Sequence, residues 1–513
     1  MQDFAAYESP YLSATNGGSS TGLRMLRWVG FRKAVRGRNG GKWMTDLLLT
    51  HGYFLHEDPK EIQIMKPYPP LGILYICSHL RSRGFTVEVH DSTFSTQEAL
   101  YARLREQTPT ILGVYANLMT RPKVVKILAE AKRNGWRTIV GGPEPGAYVE
   151  EYLRAGAEVV VMGEGEVTME ELLPLLLNDD VKRLDTIQGI AFLDQDGHVV
   201  RTQPRPQIQD LDAQPWPERE AIDTGRYVET WRTHHGMGSI SLITARGCPY
   251  RCEWCSHQVY GQTHRRRKPR FVADELEWLR KRYKPDMLWV ADDVFTINHG
   301  WLMEWREQVS SRSLHIPFEC ISRADRLTEE VIRTLAELGC FRLWIGSESG
   351  SQRILDRMKR GVTVEEVQRA TKLCREHGIQ TGMFLMWGYE GEEMEDIEAT
   401  IEHVRASKPD VFLTTVSYPI KGTPYFKRVE EQGRIRETRP WAESSDRELE
   451  ILGRRSSEFY QIANQLLKHE VELVQIDTKN NATRTDEAEF LKAQIAAERM
   501  SMRAAAQNDV RTA

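Results

Sequence analysis

Twice along this chain of 513 residues, short runs of aliphatic and β-branched residues alternate with stretches of helical periodicity, which restricts the fold to α/β classes built on parallel sheets. In the first series, strands are expected at 46–49 (DLLL), 86–90 (TVEVH), 111–115 (ILGVY), 137–140 (RTIV) and 159–162 (VVVM). Helices are expected between them over 71–83, 96–106, 122–134, 147–155 and 167–177. That order reads as a doubly wound, Rossmann-like unit. In the second series, strands at 239–244, 287–291, 318–322, 341–345, 381–386 and 411–417 alternate with helices over 274–283, 301–311, 329–338, 364–377 and 394–407. Six such units in line suggest a partial (β/α)6, TIM-like barrel with its reacting groups at the carboxyl ends of the strands.

The divisions follow. Residues 1–42 read as a Gly/Ser-rich and then basic arm, 43–180 as the first α/β domain, and 181–237 as a proline-rich linker holding a hairpin turned at Asp196-Gly197. Residues 238–428 form the barrel, and 429–513 a helical C-terminal extension in which no chemistry is recognisable.

Charge and cysteine usage narrow the function. With 69 Lys+Arg against 73 Asp+Glu the net charge is −4, unlike the basic footprint of a nucleic-acid binder, so no nucleic acid is expected as a partner. Seven cysteines cannot all pair, and the first twenty residues lack a secretory n- and h-region, so a reducing, cytoplasmic setting is expected. No run approaches the ~18 apolar residues of a membrane span, which leaves peripheral membrane contact as the most a lipid-facing surface could make.

Three of the seven cysteines fall in TARGCPYRCEWCSH, just after the first strand of the second series, as Cys248-x3-Cys252-x2-Cys255. Three thiolates from one loop can hold three irons of a cubane cluster and leave the fourth iron open. The competing reading is a Cys3His zinc site completed by His257. Zinc sites more often combine two separated ligand pairs than four ligands within ten residues.

Cys-x3-Cys-x-aromatic-Cys, with Trp254 as the aromatic, resembles the signature of the radical S-adenosylmethionine (SAM) enzymes, and the six β/α units are similar to that family's partial barrel. The resemblance implies a 4Fe-4S cluster on Cys248, Cys252 and Cys255, with SAM chelated at the open iron and cleaved to a 5′-deoxyadenosyl radical. Other strand ends match in order. Asp292-Asp293 resembles a variant of the Gly-Gly-Glu that meets the methionine amino group, and Arg323 would hold its carboxylate by a bidentate contact. In WIGSESGS, Gly346 and Glu348 fit the family's Gly-x-Glu-Ser-Gly, with Glu348 on a ribose hydroxyl, and Gly388 would let backbone approach the adenine.

The first unit has no nicotinamide or Walker fingerprint; its glycines follow the fourth and fifth strands, where a broad planar ligand would lie. The stretches KPYPPLGILYICSHL, VGGPEP and VMGEGE are similar to the cobalamin-binding domain that precedes many radical SAM enzymes, in the branch of cobalamin-dependent methyltransferases and anaerobic porphyrin-cyclase-like proteins. The resemblance assigns Pro70, Leu71, Gly72, Thr120, Gly141, Gly142, Glu144, Gly163, Glu164 and Glu166 to cobalamin, although Glu144 stands where the family commonly has histidine. The Asp-x-His-x-x-Gly motif is absent, and His51 and His56 in the first loop are read as solvated, so no histidine is expected on the lower face of cobalt.

The expected activity is methyl transfer to an unactivated carbon of a small molecule, with lipid-like and tetrapyrrole-like acceptors in view, and with electrons from a flavodoxin- or ferredoxin-type donor. Radical cyclisation, oxidation or carbon–carbon coupling without methyl transfer, and a non-catalytic cobalamin sensor, stay open as alternatives. Lys421 at the last strand end is a candidate for an anionic group of the substrate or a plain solvated lysine, and HRRRKPR (264–270) is read as a solvated strand flank.

Overall fold

A computed structural model describes residues 45–478 and 485–512. The arm expected over 1–42 lies outside the described residues.

In the first sheet, β1 (Leu47–His51), β2 (Val87–Val89), β3 (Ile111–Tyr115), β4 (Arg137–Gly141) and β5 (Val159–Val161) run parallel in the order β2-β1-β3-β4-β5. Six helices accompany it: α1 (Pro59–Ile64), α2 (Leu71–Ser82), α3 (Gln97–Glu106), α4 (Arg121–Arg133), α5 (Val149–Arg154) and α6 (Gly165–Leu177). Its strands are apolar on both sides because both faces are covered. Leu48 packs with Val124 and Leu128 of α4, while Leu47 and Leu49 pack with Ile73 of α2 and Leu172 of α6. The hairpin expected inside a linker behaves differently. Its strands β6 (Ile190–Leu193) and β7 (Val199–Arg201) add to this sheet, β6 antiparallel to β5, because Ile190 and Ala191 carry apolar side chains into the cores on its two opposite faces.

Helix α7 (Thr224–His235) leads into the second sheet, which consists of six parallel strands: β8 (Ser239–Leu242), then β11 (Met287–Val290), β12 (Phe318–Ser322), β13 (Cys340–Glu348), β14 (Gln380–Trp387) and β15 (Val411–Val416). Between β8 and β11, the two-residue strands β9 (Ala245–Arg246) and β10 (Arg265–Arg266) pair antiparallel. Helices α8 (Pro269–Tyr283), α9 (His299–Ser311), α10 (Glu329–Glu337), α11 (Gln352–Arg357), α12 (Val364–Glu376), α13 (Met394–Ser407) and α14 (Pro424–Glu431) follow the strands. Alternate strand residues such as Leu242, Leu288, Cys320, Leu343 and Met383 point outward to these helices and form the main core. The extension completes that core. Helix α15 (Ser457–Thr478) inserts Phe459, Ala463, Leu466 and Leu467 into it, and α16 (Thr485–Thr512) packs along α15.

The carboxyl ends of both sheets open into one cavity of about 2450 Å³, lined from the first domain by residues near the ends of β1, β3, β4 and β5, and from the second by residues of all six of its strands or of the turns that follow them. Among the described residues no helix is long and apolar enough to cross a membrane.

Candidate active site

The three clustered cysteines lie on the loop closed by the β9–β10 pair. Gly247 at its base has φ 83°, and a Cβ there would lie 2.4 Å from the Thr263 carbonyl, so only glycine fits. Cys252 is buried, Cys248 half-buried and Cys255 the most open. The loop is anchored rather than free: the Glu253 amide donates to Met358 O (3.2 Å), and the Glu253 carboxylate pairs with Lys359 (2.6 Å) and with Arg428. Trp254 packs edge-on to Tyr389, so its ring holds the loop against the barrel.

Carboxylates from two other strand ends stand beside the triad. Although Cys255 is the most open of the three, the protein around its thiol desolvates it, and this, followed by Cys252, Cys248, Asp293 and Glu348, pushes the thiol up. Burial also raises the Cys248 thiol, with Asp293 and Cys252 adding and the Tyr250 amide and Arg323 opposing. Tetrahedral zinc at Zn–S ~2.3 Å needs ligand atoms about 3.8 Å apart. Among the described residues the only trio of His, Cys, Asp or Glu with ligand atoms mutually within 4.8 Å is Asp194, Asp196 and His198 on the distant hairpin. Among the described residues the three cysteines and His257 do not supply such a trio, so they are not gathered as a zinc tetrahedron.

Two guanidinium groups reach Cys252. Arg360 Nη1 lies 3.7 Å and Arg323 Nη1 3.9 Å from its sulfur. Arg360 also donates through Nη2 to Gly346 O (2.9 Å) and stands 3.8 Å from Glu348. Arg323 was expected as an open fork for a carboxylate. Its donors are instead directed to Asp325 (2.9 Å), Arg360 O (2.9 Å) and Gly361 O (3.0 Å), and its plane stacks 3.6 Å from the Tyr250 ring. Arg360 was missed in the sequence because nothing in MKRGVT distinguishes it from a solvated arginine; only the turn after α11 brings it under the cysteine loop.

Glu348 occupies the left-handed region at φ 62°, at a register shift in the β13–β14 pairing. Such strain in a non-glycine residue persists only where neighbours hold it, and here Ser347 Oγ hydrogen-bonds His403 Nε2 (2.9 Å). Burial pushes the Glu348 carboxyl up, with Arg360 and Arg323 opposing. The two aspartates divide. Asp292 is fully engaged by the Thr244 amide (2.7 Å), the Ala245 amide (3.0 Å) and Arg266 (3.1 Å), so it caps the strand end; Asp293 faces the cavity, its carboxyl raised by burial and by Asp292. Gly388 does have positive φ, 68°, but the space beside it is taken by Tyr460 of α15, whose hydroxyl would lie 2.7 Å from a Cβ.

In the first domain, Pro70, Leu71, Gly72, Thr120, Gly141, Gly142, Gly163, Glu164 and Glu166 all line the cavity. At Gly142, φ 116° and a would-be Cβ 2.3 Å from Ala116 O exclude any other residue. The carboxylates among the expected contacts are otherwise occupied. Glu164 takes Arg246 and Arg265 (2.7 Å each), and Glu166 takes Arg246 (2.6 Å), in buried pairs that join the two domains. Glu144 lies outside the cavity wall, held by Arg121 Nε (2.6 Å) and the Tyr152 hydroxyl (2.6 Å). His51 was read as solvated. It is buried in the cavity wall with both nitrogens engaged: Nδ1 accepts from the Tyr53 amide (3.2 Å) and Nε2 meets Asp91 (3.2 Å).

Two surface readings change for the same reason, that a partner arrives from far along the chain. Lys421 Nζ pairs with Glu151 (3.0 Å) and sits over the Tyr148 ring instead of meeting a substrate. Within 264–270, Arg265 and Arg267 are buried and Arg266 is half-buried, paired with Glu164 (2.7 Å), Glu275 (3.3 Å) and Asp292 (3.1 Å) respectively, so these three arginines are interior while Lys268 and Arg270 stay exposed.

Comparison with known proteins decides the assignment. The model of the Radical SAM superfamily matches residues 242–404 and that of the B12 binding domain matches residues 63–173. The chain is a B12-binding radical SAM protein. It is 28% identical over 366 residues to an uncharacterized methyltransferase of Pyrococcus horikoshii, covering 69% of this chain and 77% of that one. It is 26% identical over 388 residues to the anaerobic magnesium-protoporphyrin IX monomethyl ester cyclase of Cereibacter sphaeroides, covering 72% of this chain but only 62% of the cyclase. In fold it is similar to the radical SAM methyltransferase TsrM of Kitasatospora setae (TM-score 0.63, 22% identity, 77% of this chain and 76% of that one). It is similar in the same way to the cobalamin-dependent radical enzyme OxsB (TM-score 0.67, 18% identity, 88% and 71%). The protein's cofactors are accordingly a 4Fe-4S cluster, SAM and cobalamin, and the glycine-lined cavity wall suits a broad planar ligand.

Proposed function

We propose that this B12-binding radical SAM protein methylates an unactivated carbon of a small molecule. The observation that carries the reading is the single cavity shared by the carboxyl ends of both sheets, which brings the glycine loops of the first domain over the Asp293 end of β11 beside the cysteines. Cys248, Cys252 and Cys255 hold the cluster; Asp293 and Glu348 are placed for the ammonium and ribose groups of SAM; Gly141, Gly142 and Gly163 let cobalamin lie against backbone. When bound, these groups supply a carbon-centred radical and a transferable methyl group. The chain's own part is to orient the acceptor and exclude water from it. Segment 447–451 and α15, which close the cavity wall, serve as that cover. Electrons come from an external flavodoxin- or ferredoxin-type donor in the cytoplasm, and nucleic acid has no part in the reaction.

A second reading, cyclisation without methyl transfer, is favoured by the likeness to the porphyrin cyclases, and makes a tetrapyrrole the alternative acceptor. Anaerobic reconstitution with iron, sulfide and hydroxocobalamin, followed by turnover with methyl-labelled SAM, separates them. Label in the product supports methylation; label confined to SAM-derived fragments supports cyclisation. No 5′-deoxyadenosine under reductant would refute both.

A further inference from the structure

The left-handed backbone of Glu348 is held from both sides by one helix. Its carboxylate turns back beneath Gly346, where Oε1 would lie 2.9 Å and Arg360 Nη2 2.5 Å from a Cβ, and glycine there leaves room for both. The residue before it, Ser347, bonds His403 Nε2 through Oγ (2.9 Å), and the residue after it, Ser349, meets Thr400 Oγ1 through Oγ (3.2 Å). The Gly350 amide donates to the same Thr400 oxygen (2.9 Å), and the Ser351 hydroxyl to Asp396 (2.6 Å). Asp396, Thr400 and His403 stand at i, i+4 and i+7 of α13, a spacing that sets them on one face. All three are buried, as are Ser347, Ser349 and Ser351.

The contact between turn and helix is close as well as polar. A Cβ at Gly350 would lie 2.4 Å from Ala399 O and 2.5 Å from both the His403 Cβ and the Thr400 Cα, so the turn rests directly on α13. The donors are assigned by their partners. Thr400 Oγ1 donates to Asp396 O (2.8 Å), which leaves its lone pairs to the Gly350 amide and the Ser349 hydroxyl. Burial pushes the His403 imidazole down to about 4, with Glu365 opposing, so the ring is neutral. Gln368 Nε2 approaches its Nδ1 (3.4 Å), which leaves the proton on Nε2 for Ser347. Asp396 has a second task, because it also accepts the Glu393 amide (2.7 Å) and caps α13. Burying a threonine hydroxyl and an imidazole is costly unless they are bonded, and mere cover for the turn would need only apolar residues such as Ile397, Ile401 and Val404, which the same helix gives to the main core. A left-handed non-glycine residue persists only where its neighbours hold it, and here the two neighbours are the bonded ones.

Resting on the reading that Glu348 meets the ribose of SAM, we propose that Thr400 and His403 are positioning residues for that contact. By gripping Ser349 and Ser347 they fix the peptide planes on either side of Glu348, and with them the direction of its carboxylate. Recognition of the ribose hydroxyls is thus set from the helix layer outside the strands.

The test is equilibrium binding to the anaerobically reconstituted full-length protein, with S-adenosylhomocysteine and its 2′,3′-dideoxy analogue as the two probes. Wild type should prefer the probe with ribose hydroxyls by at least about tenfold, the scale of hydrogen bonds to a charged group. Thr400→Val and, independently, His403→Ala should each shrink that preference to within about threefold, through weaker binding of the hydroxylated probe, while affinity for the dideoxy probe stays within about twofold of wild type. Thr400→Ser, which keeps the hydroxyl, should keep the preference. T400V preserves the side-chain shape, so it decides the matter if H403A fails to fold. A preference that survives T400V and any folded H403A, or equal weakening of the two probes, would overturn the proposal and leave the Glu348 reading standing. Wild type that binds the two probes alike, or binds neither, would remove the ribose contact and overturn both. No turnover is needed, so the outcome is independent of whether methyl transfer or cyclisation follows.

Discussion

Replacing Arg121 by methionine should release the cover of the cavity. Arg121 is 2% exposed and lies between two buried carboxylates, Glu144 and Asp446 (2.5 Å from Nη2), while Nη1 donates to Ser444 O (3.2 Å). Its guanidinium is 4.4 Å from the Tyr148 ring and 5.3 Å from Trp441. One side chain thus ties the first domain to the segment just before residues 447–451, which line the cavity. Removing one member of a buried ion pair costs ~3–5 kcal/mol, because the remaining charge is left uncompensated. At about 1.4 kcal/mol per factor of ten, a 4 kcal/mol loss raises local opening ~10³-fold. Hydrogen–deuterium exchange in peptides covering 441–451 reads that change directly, without assuming that a multidomain chain unfolds in one step. Glu144 is already raised by burial, with Arg121 the main opposing influence, so without Arg121 its carboxyl rises further. A carboxyl whose folded value is raised binds more protons when folded, so stability falls as pH rises through that value, and the R121M defect should shrink on acidification. Adding Glu144→Gln and Asp446→Asn should restore most of the protection. Exchange within about threefold of wild type, or no recovery in the triple variant, would refute the assignment of this network as a clamp.

Three further outcomes follow from particular contacts. Gly382→Ala places a methyl against the Trp344 ring and should cost ~1–3 kcal/mol in thermal or urea stability, with a shift in the near-UV circular dichroism of Trp344. Glu392 accepts the Gly388 amide (2.6 Å), and burial pushes its carboxyl up to about 8. Wild-type thermal stability should therefore fall as pH rises from the ordinary glutamate range through about 8, and Glu392→Gln should flatten that slope. In reconstituted protein, Arg360→Gln removes one of the two guanidinium donors to Cys252, and EPR-monitored titration should show a lower cluster potential by ~59 mV, about a tenfold smaller reduced fraction at fixed potential. An unchanged potential would mean that Arg360 serves Gly346 and Glu348 alone.

The α/β class, the two series of strands and the cofactor set were legible because each rests on local order. Burial on both faces writes continuous apolar runs at strand positions, and three cysteines within eight residues need no tertiary contact to be recognised. Glycines that must admit backbone or ligand are marked in the same way, as at Gly142 and Gly247, where no other residue fits.

What the sequence could not settle is which polar groups are free. Asp292 and Asp293 are adjacent and chemically identical, yet only Asp293 faces the cavity, because Asp292 is consumed by two amides and Arg266. Glu144, Glu164, Glu166, Lys421 and the 264–270 run each meet an oppositely charged partner, or in the run of arginines several, most of them tens to hundreds of residues away. Coulomb and desolvation energies depend on those distances, which no local pattern encodes. The same holds for Arg360 and for α15, whose roles arise only when the barrel turns them toward Cys252 and Gly388. The sequence by itself determined the fold class and the chemistry the chain can hold; the tertiary structure alone decided which charges are spent in holding the domains together and which remain to meet a substrate.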